Sequence, residues 1–322
     1  MTDVQITPPR AMPEPLPANI PSAQPGGGYC YSIELAWGHV RRWYLRTFRK
    51  AYVQRMVDLR RGNVDGCPHE VLDPRDVKFF TNRCTAHWDP ADDPFTWRDR
   101  LPVTRWGLAE LILVGIPLVV LTIVSAAFGW WYVAAPLAIV LGWYVSFFRD
   151  PRRAVPQGQG VVVAPADGRV VEITPLEFDT SIGGPAVRIG IFLSIFNVHL
   201  NRAPVRSRVL GLSYEPGKFL NALNPASSWE NEKLSILLEE EEAPHRRMIV
   251  RQIAGLLARR IVCALRPGQV VERGEKFGMI KLGSRTELIL PAGDDLSVVV
   301  TVGQSVQAGS TIIARYASPS EN

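Results

Sequence analysis

Residues 108–128 read LAELILVGIPLVVLTIVSAAF, and residues 130–148 read WWYVAAPLAIVLGWYVSFF. The first stretch holds one acid, Glu110, and the second holds no charge. At 1.5 Å per helical residue, each is long enough to match a hydrocarbon core about 30 Å thick. Because only Gly129 separates them, we predict a helical hairpin over residues 106–150 that spans a membrane or re-enters it. A buried hairpin of a soluble protein is the weaker alternative, since so long an apolar stretch needs a wide apolar host.

Arginines flank this hairpin on both sides: Arg98, Arg100, Arg105, Arg149, Arg152 and Arg153. The positive-inside rule assigns such flanks to the cytoplasm. We therefore expect the cytoplasmic (inner) membrane, with the domain that follows the hairpin facing the cytoplasm.

Beyond Pro156 the apolar residues follow a period of two, in short β-branched runs separated by Gly, Pro and Asp turns. The runs are 161–163, 169–173, 186–193, 209–212, 235–238, 248–253, 261–265, 288–290, 297–302 and 311–315. Segments 163–170 and 302–313 resemble the turns of flattened β-barrels of the biotinyl/lipoyl or sugar-permease IIA kind. We predict a mostly β domain of barrel-sandwich architecture over residues 151–322.

Residues 1–31 are rich in Pro and Gly and bury too little apolar surface to offset the entropy of ordering. We predict a disordered tail there. It lacks a basic start followed by an apolar stretch, so a cleaved secretory signal is not expected. Residues 32–105 form a basic N-terminal extension.

From Ser32 to Arg61 apolar residues recur at three- and four-residue steps, with arginines between them. This pattern predicts one basic amphipathic helix with Ser32 as its N-cap and Gly62 as its stop. Such a helix suits an anionic membrane surface. A helix that packs its apolar stripe on the rest of the protein is an equal alternative.

Four cysteines are too few and too scattered for a disulfide scaffold, so a reducing compartment is expected. Cys67, His69, Cys84 and His87 could complete a tetrahedral zinc site, but their spacing matches no standard zinc finger. We predict no metal, with zinc at this quartet as the weaker alternative to unpaired cysteines and surface histidines.

Hydrophobic residues make up 47% of the 322 residues, which excludes disorder throughout. The net charge of +5 fits an anionic partner. Taken with the hairpin, this charge favours an anionic membrane surface, and we expect no nucleic-acid partner.

Three residues of the β domain could form a catalytic relay. Asp167 lies in a Pro-Ala-Asp-Gly turn, His199 follows an apolar strand, and Ser284 lies between two strands. A carboxylate that orients an imidazole, which in turn removes a hydroxyl proton, activates a serine. Spacing alone is a weak signal, because a β domain of this size contains such a trio by chance.

Five blocks carry a resemblance to a known family: FFRDPRR (147–153), APADG (164–168), FNVHLNRAP (196–204), NEK (231–233) and FGMIKLGSR (277–285). In this order, over roughly residues 106–318, they resemble the phosphatidylserine decarboxylase proenzymes, and most closely their short, prokaryotic class. Residues 1–100 lie outside the resemblance.

The resemblance implies self-cleavage between Gly283 and Ser284. The Ser284 hydroxyl would attack the Gly283 carbonyl, with His199 as the base and Asp167 holding it, and Ser284 would become an N-terminal pyruvoyl group. This covalent group is the cofactor expected. The large chain (1–283) and the small chain (284–322) would stay in one barrel, and a homodimer is left open.

The matured protein would then decarboxylate phosphatidylserine to phosphatidylethanolamine and carbon dioxide through a Schiff base with the substrate amine. His199 is a candidate proton donor in this step as well. A membrane phospholipid suits the hairpin, because a diacyl substrate stays in the bilayer.

The chain departs from the longer class of the family at Phe196, where that class has a second histidine, and at Arg285, where it tends to threonine. Single-histidine chemistry is therefore implied.

Three further candidate substrate-binding residues lie in the block 196–204. Asn197 and Asn201 could bind the serine carboxylate or the phosphate, with β-turn roles as the alternative. Arg202 is a candidate anion ligand, with a surface ion pair as the alternative. Segment 218–229 (KFLNALNPASSW) either contacts the membrane interface or forms an ordinary lid or core-packing loop.

Two other function classes remain for comparison. A membrane-anchored carrier module of the barrel-sandwich type would carry a lysine at a hairpin tip, and neither segment 167–168 nor segment 302–304 offers one. A serine hydrolase would need a G-x-S-x-G elbow and α/β alternation, which the sequence lacks. A pyruvoyl-dependent decarboxylase is therefore the predicted function.

Overall fold

A computed structural model of the chain describes residues 11–14, 29–67, 69–77, 84–256, 260–281 and 283–317. These residues form a helical extension, an apolar helical hairpin and a β-rich domain, in this order along the chain.

The predicted disordered tail, residues 1–31, lies mostly outside the described residues. Its described part contradicts the prediction. At residues 11–14 the chain lies on the β domain, where the Glu14 N–H donates to the Leu210 carbonyl at 2.7 Å and Arg208 donates to the Ala11 carbonyl at 2.7 Å. Residues 29–31 already belong to a helix.

The extension begins with two helices, α1 (Tyr29–Phe48) and α2 (Lys50–Leu59). The short turns α3 (Pro74–Val77) and a 3-10 turn (Thr96–Arg100) follow. The prediction of a single helix was wrong in two respects: α1 begins before Ser32, and Arg49 interrupts the helix with non-helical angles (φ −127°, ψ 38°). Gly62, at φ +76°, follows α2 in the left-handed conformation that favours glycine.

The extension has a small core of its own. Met56 of α2 packs near Trp88, whose indole N–H donates to the Met56 carbonyl at 2.7 Å. The buried carboxylate of Asp73 accepts from Arg41 at 3.0 Å, and that of Asp76 accepts from Arg42 at 3.0 Å. Buried carboxylates are tolerated when they are paired in this way, so these contacts fix α1 on the segment that carries α3.

The aromatic side chains of α1 point outward. The exposed fractions are 64% for Trp37, 61% for Trp43 and 62% for Phe48, whereas Leu45 and Arg42 are buried. We call the exposed set the aromatic face of α1; its members are Trp37, Val40, Trp43, Tyr44 and Phe48.

Cys67 and Cys84 form a disulfide, with their Cα atoms 5.7 Å apart. Both alternatives for these cysteines were therefore wrong: they are not unpaired, and they offer no thiolate to zinc. Within the described ranges, no group of three or more His, Cys, Asp or Glu side chains is placed to hold a metal ion. Cys30 and Cys263 are not paired in a disulfide.

The apolar hairpin consists of two helices joined at Gly129, which has φ +75°. The first runs over Arg105–Ala127 and is long and apolar enough to cross a membrane. It comprises a 3-10 turn (Arg105–Gly107), α4 (Leu108–Glu110), a π turn (Leu111–Gly115) and α5 (Ile116–Ala127). The second helix, α6 (Trp131–Phe147), has 17 residues. Length and composition are weak evidence for a membrane, so the span itself stays a prediction.

The base of the hairpin packs on the β domain. Phe147 and Phe148, at the end of α6, are buried in one cluster with Leu200, Val262 and Met279. This apolar contact ties the hairpin to the strand that follows His199.

The described β domain has fourteen strands, paired antiparallel. They are β1 (Val161–Val163), β2 (Gly168–Asp179), β3 (Gly184–Leu193), β4 (Leu200–Arg202), β5 (Ser207–Glu215), β6 (Lys233–Glu240), β7 (Arg247–Ile253), β8 (Ile261–Cys263), β9 (Val270–Val271), β10 (Lys276–Ile280), β11 (Ser284–Pro291), β12 (Leu296–Val298), β13 (Ser305–Val306) and β14 (Ile312–Tyr316). A short helix, α7 (Ser227–Glu230), lies between β5 and β6.

Eight strands form a curled half-barrel in the order β13-β2-β3-β11-β7-β6-β5-β9. Two three-stranded sheets, β4-β10-β8 and β1-β14-β12, complete the domain. Buried apolar residues from all three sheets share one core, for example Ile191, Cys263 and Ile313. The predicted fold class, a mostly β domain preceded by helices, is confirmed.

The disulfide predicts how many cysteines can react with a thiol reagent. We expect two of the four cysteines to react with a maleimide when the protein is denatured without reductant, and all four after reduction. Mass spectrometry of the adducts gives the count. The double variant Cys67→Ser, Cys84→Ser is the control, with two adducts under both conditions. Four adducts without reductant would contradict the pairing.

Candidate active site

The site is built around the peptide between Gly283 and Ser284. Gly283 has φ +65°, a conformation that other residues adopt only with strain. Ser284 is the first residue of β11 and is fully buried. Its Oγ has no hydrogen-bond partner among the described residues. A buried hydroxyl without a partner is costly, so this one calls for a functional explanation.

The strand β11 decides where Ser284 points. It lies between β3 and β7, with Ser284 opposite Leu193. Because side chains alternate along a strand, Ser284 shares a face with Thr286, which accepts a hydrogen bond from Asn201 of β4 at 3.0 Å. Ser284 therefore faces the side of the sheet on which β4 lies.

His199 lies directly against this peptide. Its Nε2 accepts the Gly283 N–H at 3.2 Å, and its Nδ1 lies 2.9 Å from the Asn197 carbonyl. Since a carbonyl accepts only, the pattern assigns the proton to Nδ1 and leaves the Nε2 lone pair directed at the Gly283 peptide. Because the Ser284 Oγ has no hydrogen-bond partner among the described residues, the His199–Ser284 hydrogen bond is not formed in this structure, and the role of Nε2 as the base for Ser284 stays a prediction.

The surroundings of His199 keep it neutral. The side chain is fully buried, and the Phe147 ring lies 4.3 Å from its ring, centroid to centroid. Burial, followed by the positive charge of Arg149, lowers the pKa of His199 to about 4, although the Asn197 carbonyl opposes the shift. An imidazole with this pKa is unprotonated near neutral pH, which is the state that a general base requires.

Asp167 is not placed as the resemblance implies. One of its carboxylate oxygens accepts from Arg153 at 2.6 Å, and the other accepts from the Ala308 N–H at 2.8 Å. The described hydrogen bonds of His199 go to Asn197 and Gly283 instead, so the expected carboxylate–imidazole bond is not formed. Burial raises the pKa of Asp167, against the opposing effects of the Ala308 N–H and Arg153. The catalytic role of Asp167 stays a prediction.

Gly255 supplies a contact that sequence reasoning missed. A Cβ atom on Gly255 would lie 2.2 Å from the carbonyl oxygen of Gly283 and 3.5 Å from the Cβ of Ala222. A side chain at residue 255 would therefore displace the carbonyl that the serine is predicted to attack. No sequence motif marks this glycine, because the contact joins two loops distant along the chain.

The three candidate substrate ligands are engaged within the protein. Asn197 Oδ1 accepts from the backbone and hydroxyl of Ser194 at 2.9 Å each, which matches its alternative turn role. Asn201 is fully buried, donates to Thr286 and accepts from Gln252 at 2.9 Å. A direct role in substrate binding stays a prediction for both.

Arg202 is also held internally. It donates to the Gly274 carbonyl at 2.9 Å and to Asp150 at 3.2 Å. With 8% of the residue exposed, this is a buried ion pair and not the surface pair named as its alternative. Its role as an anion ligand is untested.

Segment 218–229 lies beside the site. The side chain of Asn231 accepts from the Leu220 N–H at 2.8 Å and donates to the Ala254 carbonyl at 2.8 Å, which joins this segment to the loop that carries Gly255. Leu223 and Trp229 are 57% and 60% exposed. The interfacial contact and its alternative, an ordinary lid or core-packing loop, both stay predictions.

Taken together, the site combines a neutral buried imidazole, a buried serine hydroxyl and a constrained Gly–Ser peptide. A hydroxyl next to a base and an acyl carbon can carry out acyl transfer on its own backbone. The fold and the site thus define a class of protein: a β-rich chain with an apolar hairpin and a histidine set against its own Gly–Ser bond.

Comparison with known proteins agrees with this class. The family model described as phosphatidylserine decarboxylase matches residues 140–314. A phosphatidylserine decarboxylase proenzyme of Rhodopirellula baltica is 51% identical over 240 residues, covering 74% of this chain and 99% of the relative. Proenzymes of the same name from Nitratidesulfovibrio vulgaris and Magnetococcus marinus are 44% and 42% identical, each covering 60% of this chain and 87% of the relative. This chain belongs to the phosphatidylserine decarboxylase family.

The close approach of Gly255 gives a prediction. We expect Gly255→Ala to slow self-cleavage about tenfold or more, because displacing a reacting group by about 1 Å can cost 10²-fold. The rate is read on a gel as the precursor, made by cell-free synthesis with phospholipid vesicles, separates into two chains. Gly184→Ala is the matched control, since a Cβ there meets no atom within 4 Å. Cleavage of Gly255→Ala at the wild-type rate would contradict the proposed constraint.

Proposed function

We propose that this chain is a proenzyme that cuts its backbone between Gly283 and Ser284 and then converts phosphatidylserine to phosphatidylethanolamine and carbon dioxide. Family membership supports the reaction. One observation supports the position of the cut: the buried His199 accepts the Gly283 N–H at 3.2 Å, beside a buried Ser284 hydroxyl without a described partner.

In the proposed cut, Nε2 of His199 takes the proton of the Ser284 hydroxyl while Oγ bonds to the carbonyl carbon of Gly283. The amide bond breaks, and His199 returns the proton to the nitrogen that leaves, which gives an ester. Loss of the Cα proton and cleavage of the Cβ–Oγ bond then free Gly283 as a carboxylate and leave dehydroalanine at residue 284. Tautomerisation and hydrolysis with release of ammonia give the pyruvoyl group.

The surroundings of residue 284 fit such a group. Because the Ser284 hydroxyl has no described hydrogen-bond partner, its loss breaks no contact in the described site. When present, the pyruvoyl group supplies a carbonyl that binds the substrate amine and withdraws the electron pair left by carbon dioxide. His199 is proposed to move a proton at the same residue, with the Phe147 ring packed 4.3 Å from its imidazole.

The two chains are proposed to stay together after the cut. The small chain, residues 284–322, carries β11 to β14. Of these strands, β11 is hydrogen-bonded to β3 and β7, β13 to β2, and β14 to β1, all in the large chain. Release of the small chain would break all these ladders, so covalent continuity is not needed for association.

We further propose that the hairpin enters the bilayer that holds the substrate. Residues 111–127 and α6, with 17 residues, form two apolar arms of about 25 Å each. The tip between them carries Phe128, Trp131 and Tyr132, which are 69%, 67% and 79% exposed. A tip of this composition suits the far interface of a bilayer, where Trp and Tyr concentrate.

The aromatic face of α1 is proposed to lie in the near interface. Helix α1 packs beside α4, at the base of the hairpin. Arg49 and Lys50 follow the aromatic face and are exposed. Basic residues next to exposed aromatic residues favour an anionic surface.

The cytoplasmic side is proposed from the arginines that flank the hairpin. The Cys67–Cys84 disulfide argues against that side, because disulfides form and persist mainly in oxidising compartments. The hairpin returns the chain to the side from which it starts, so the extension and the β domain are expected on the same side.

A gel with mass analysis tests the cut. We expect the wild-type chain to separate into residues 1–283 and a small chain whose mass fits residues 284–322 with a pyruvoyl N-terminus. Ser284→Ala should leave one chain, and His199→Asn should slow the cut at least about 10²-fold, because a general base contributes 10²–10⁴-fold. Cys263→Ser, at a buried residue outside the proposed relay, is the control and should be cut. A wild-type chain that stays whole in active membranes would refute the proposal.

Fluorescence quenching tests the aromatic face of α1. We expect brominated phospholipids in anionic vesicles to quench Trp37 and Trp43, because both are more than half exposed on that face. The double variant Trp37→Phe, Trp43→Phe lacks the emission of these two residues. We therefore expect the lipids to quench less emission in this variant than in the wild type. Trp88→Phe is the control. Because Trp88 is buried in the extension, the lipids should quench as much emission in this variant as in the wild type. Unquenched emission from Trp37 and Trp43 would favour the alternative that α1 lies in water.

A further inference from the structure

A buried ion cluster links the hairpin to the segments around the Gly283–Ser284 bond. The Glu110 carboxylate accepts from Arg260 at 2.8 Å and from the Lys281 ammonium. The side chains of Glu110, Arg260 and Lys281 are only 12%, 7% and 8% exposed. At this degree of burial, the partners of a charge fix its position, because leaving either side unpaired is costly.

Both cations belong to segments that form the cleavage site. Lys281 lies two residues before Gly283, and Arg260 lies on the connection after β7 that also carries Gly255. The Lys281 N–H donates to the Arg260 carbonyl at 3.1 Å, so the two segments are also joined through the backbone. Since Gly255 touches the Gly283 carbonyl, the cluster holds two segments that meet at the scissile peptide.

The anion belongs to the hairpin. Glu110 is the only acid between Trp106 and Phe148, in a stretch where a charge is expensive unless it has partners. Tyr144 of α6 donates to the Glu110 backbone carbonyl at 3.0 Å, so both helices of the hairpin meet at this residue. Nothing in the chemistry of the cut uses this carboxylate directly.

We propose that Glu110 is a positioning residue for self-cleavage: by holding Lys281 and Arg260, it sets the Gly283–Ser284 peptide against His199 only when the hairpin is seated on the β domain. The inference rests on the proposed cut at this peptide. It makes maturation depend on the assembly of the hairpin base, so that a chain whose hairpin is not seated stays a precursor.

The test times the cleavage of full-length precursors made by cell-free synthesis with vesicles of phosphatidylethanolamine and phosphatidylglycerol. We expect Glu110→Gln and Lys281→Met each to lengthen the half-time of cleavage about tenfold or more, since a small misplacement of reacting groups costs that much. The double variant should be no slower than the slower single variant, because the two residues act through one contact. Effects that multiply would overturn the inference.

Conservative variants separate positioning from general destabilisation. Lys281→Arg and Glu110→Asp keep the charges, and we expect both to be cut faster than Lys281→Met and Glu110→Gln. Equal rates for Lys281→Arg and Lys281→Met, and for Glu110→Asp and Glu110→Gln, would overturn the inference. If Glu110→Gln fails to fold, as judged by its membrane-bound fraction, the Lys281 pair decides alone.

Glu239→Gln is the matched control. Glu239 is also a buried carboxylate paired with an arginine, Arg208 at 2.7 Å, but it lies on β6, outside the two segments that meet at the cut. The Glu239→Gln variant should be cut at the wild-type rate. The two proposals fail in different ways. If the wild-type chain is not cut, the proposed function is refuted. If the wild type is cut and Glu110→Gln is cut equally fast, only the role of Glu110 is refuted.

Discussion

The pairing of β11 between β3 and β7 is the constraint on which the rest of the structure depends. It places Ser284 at the first position of a strand that is paired with β3 along its whole length and with β7 over residues 285–289. At φ +65° Gly283 turns the chain without strain, because glycine readily adopts this conformation, so the turn does not loosen the ladder that begins immediately after it. The same ladders lie entirely within the β domain, so they survive a cut on their N-terminal side. This arrangement fixes the serine in the sheet and would keep the two chains together after the proposed cut.

Burial sets the chemistry of the histidine. In water His199 would be partly protonated near neutral pH and would be a poor base for part of the time. Within the domain, the loss of hydration lowers its pKa to about 4, and the Asn197 carbonyl selects the tautomer with a free Nε2 lone pair. In this structure the carbonyl orients the ring, whereas the carboxylate of Asp167, to which the resemblance assigns that role, is held by Arg153.

Much of the fold could be predicted from the sequence, because long β-branched runs such as 186–193 carry a clear period of two. Strands as short as β9 and β13, with two residues each, carry no such period and were missed. The serine, the glycine before it and the histidine could be found because motifs mark them. Gly255 could not, because its importance comes from a tertiary contact, and the disulfide could not, because only the fold brings Cys67 and Cys84 together. For Asp167 the opposite holds. A motif identifies the residue, but in the structure its carboxylate pairs with Arg153 and not with His199.

The base of the hairpin packs against the candidate active site. Phe147 at its end covers the His199 ring, and Glu110 near its start holds the lysine just before the scissile peptide. An anchor that served only to hold the protein at a membrane would need neither contact, and an acid within an apolar helix would only weaken it. The cost of that buried acid is offset where Lys281 and Arg260 meet it, which happens only when the hairpin base and the β domain are packed together. The end of the apolar hairpin and the Gly283–Ser284 peptide, the predicted cleavage site, are therefore parts of one packed unit.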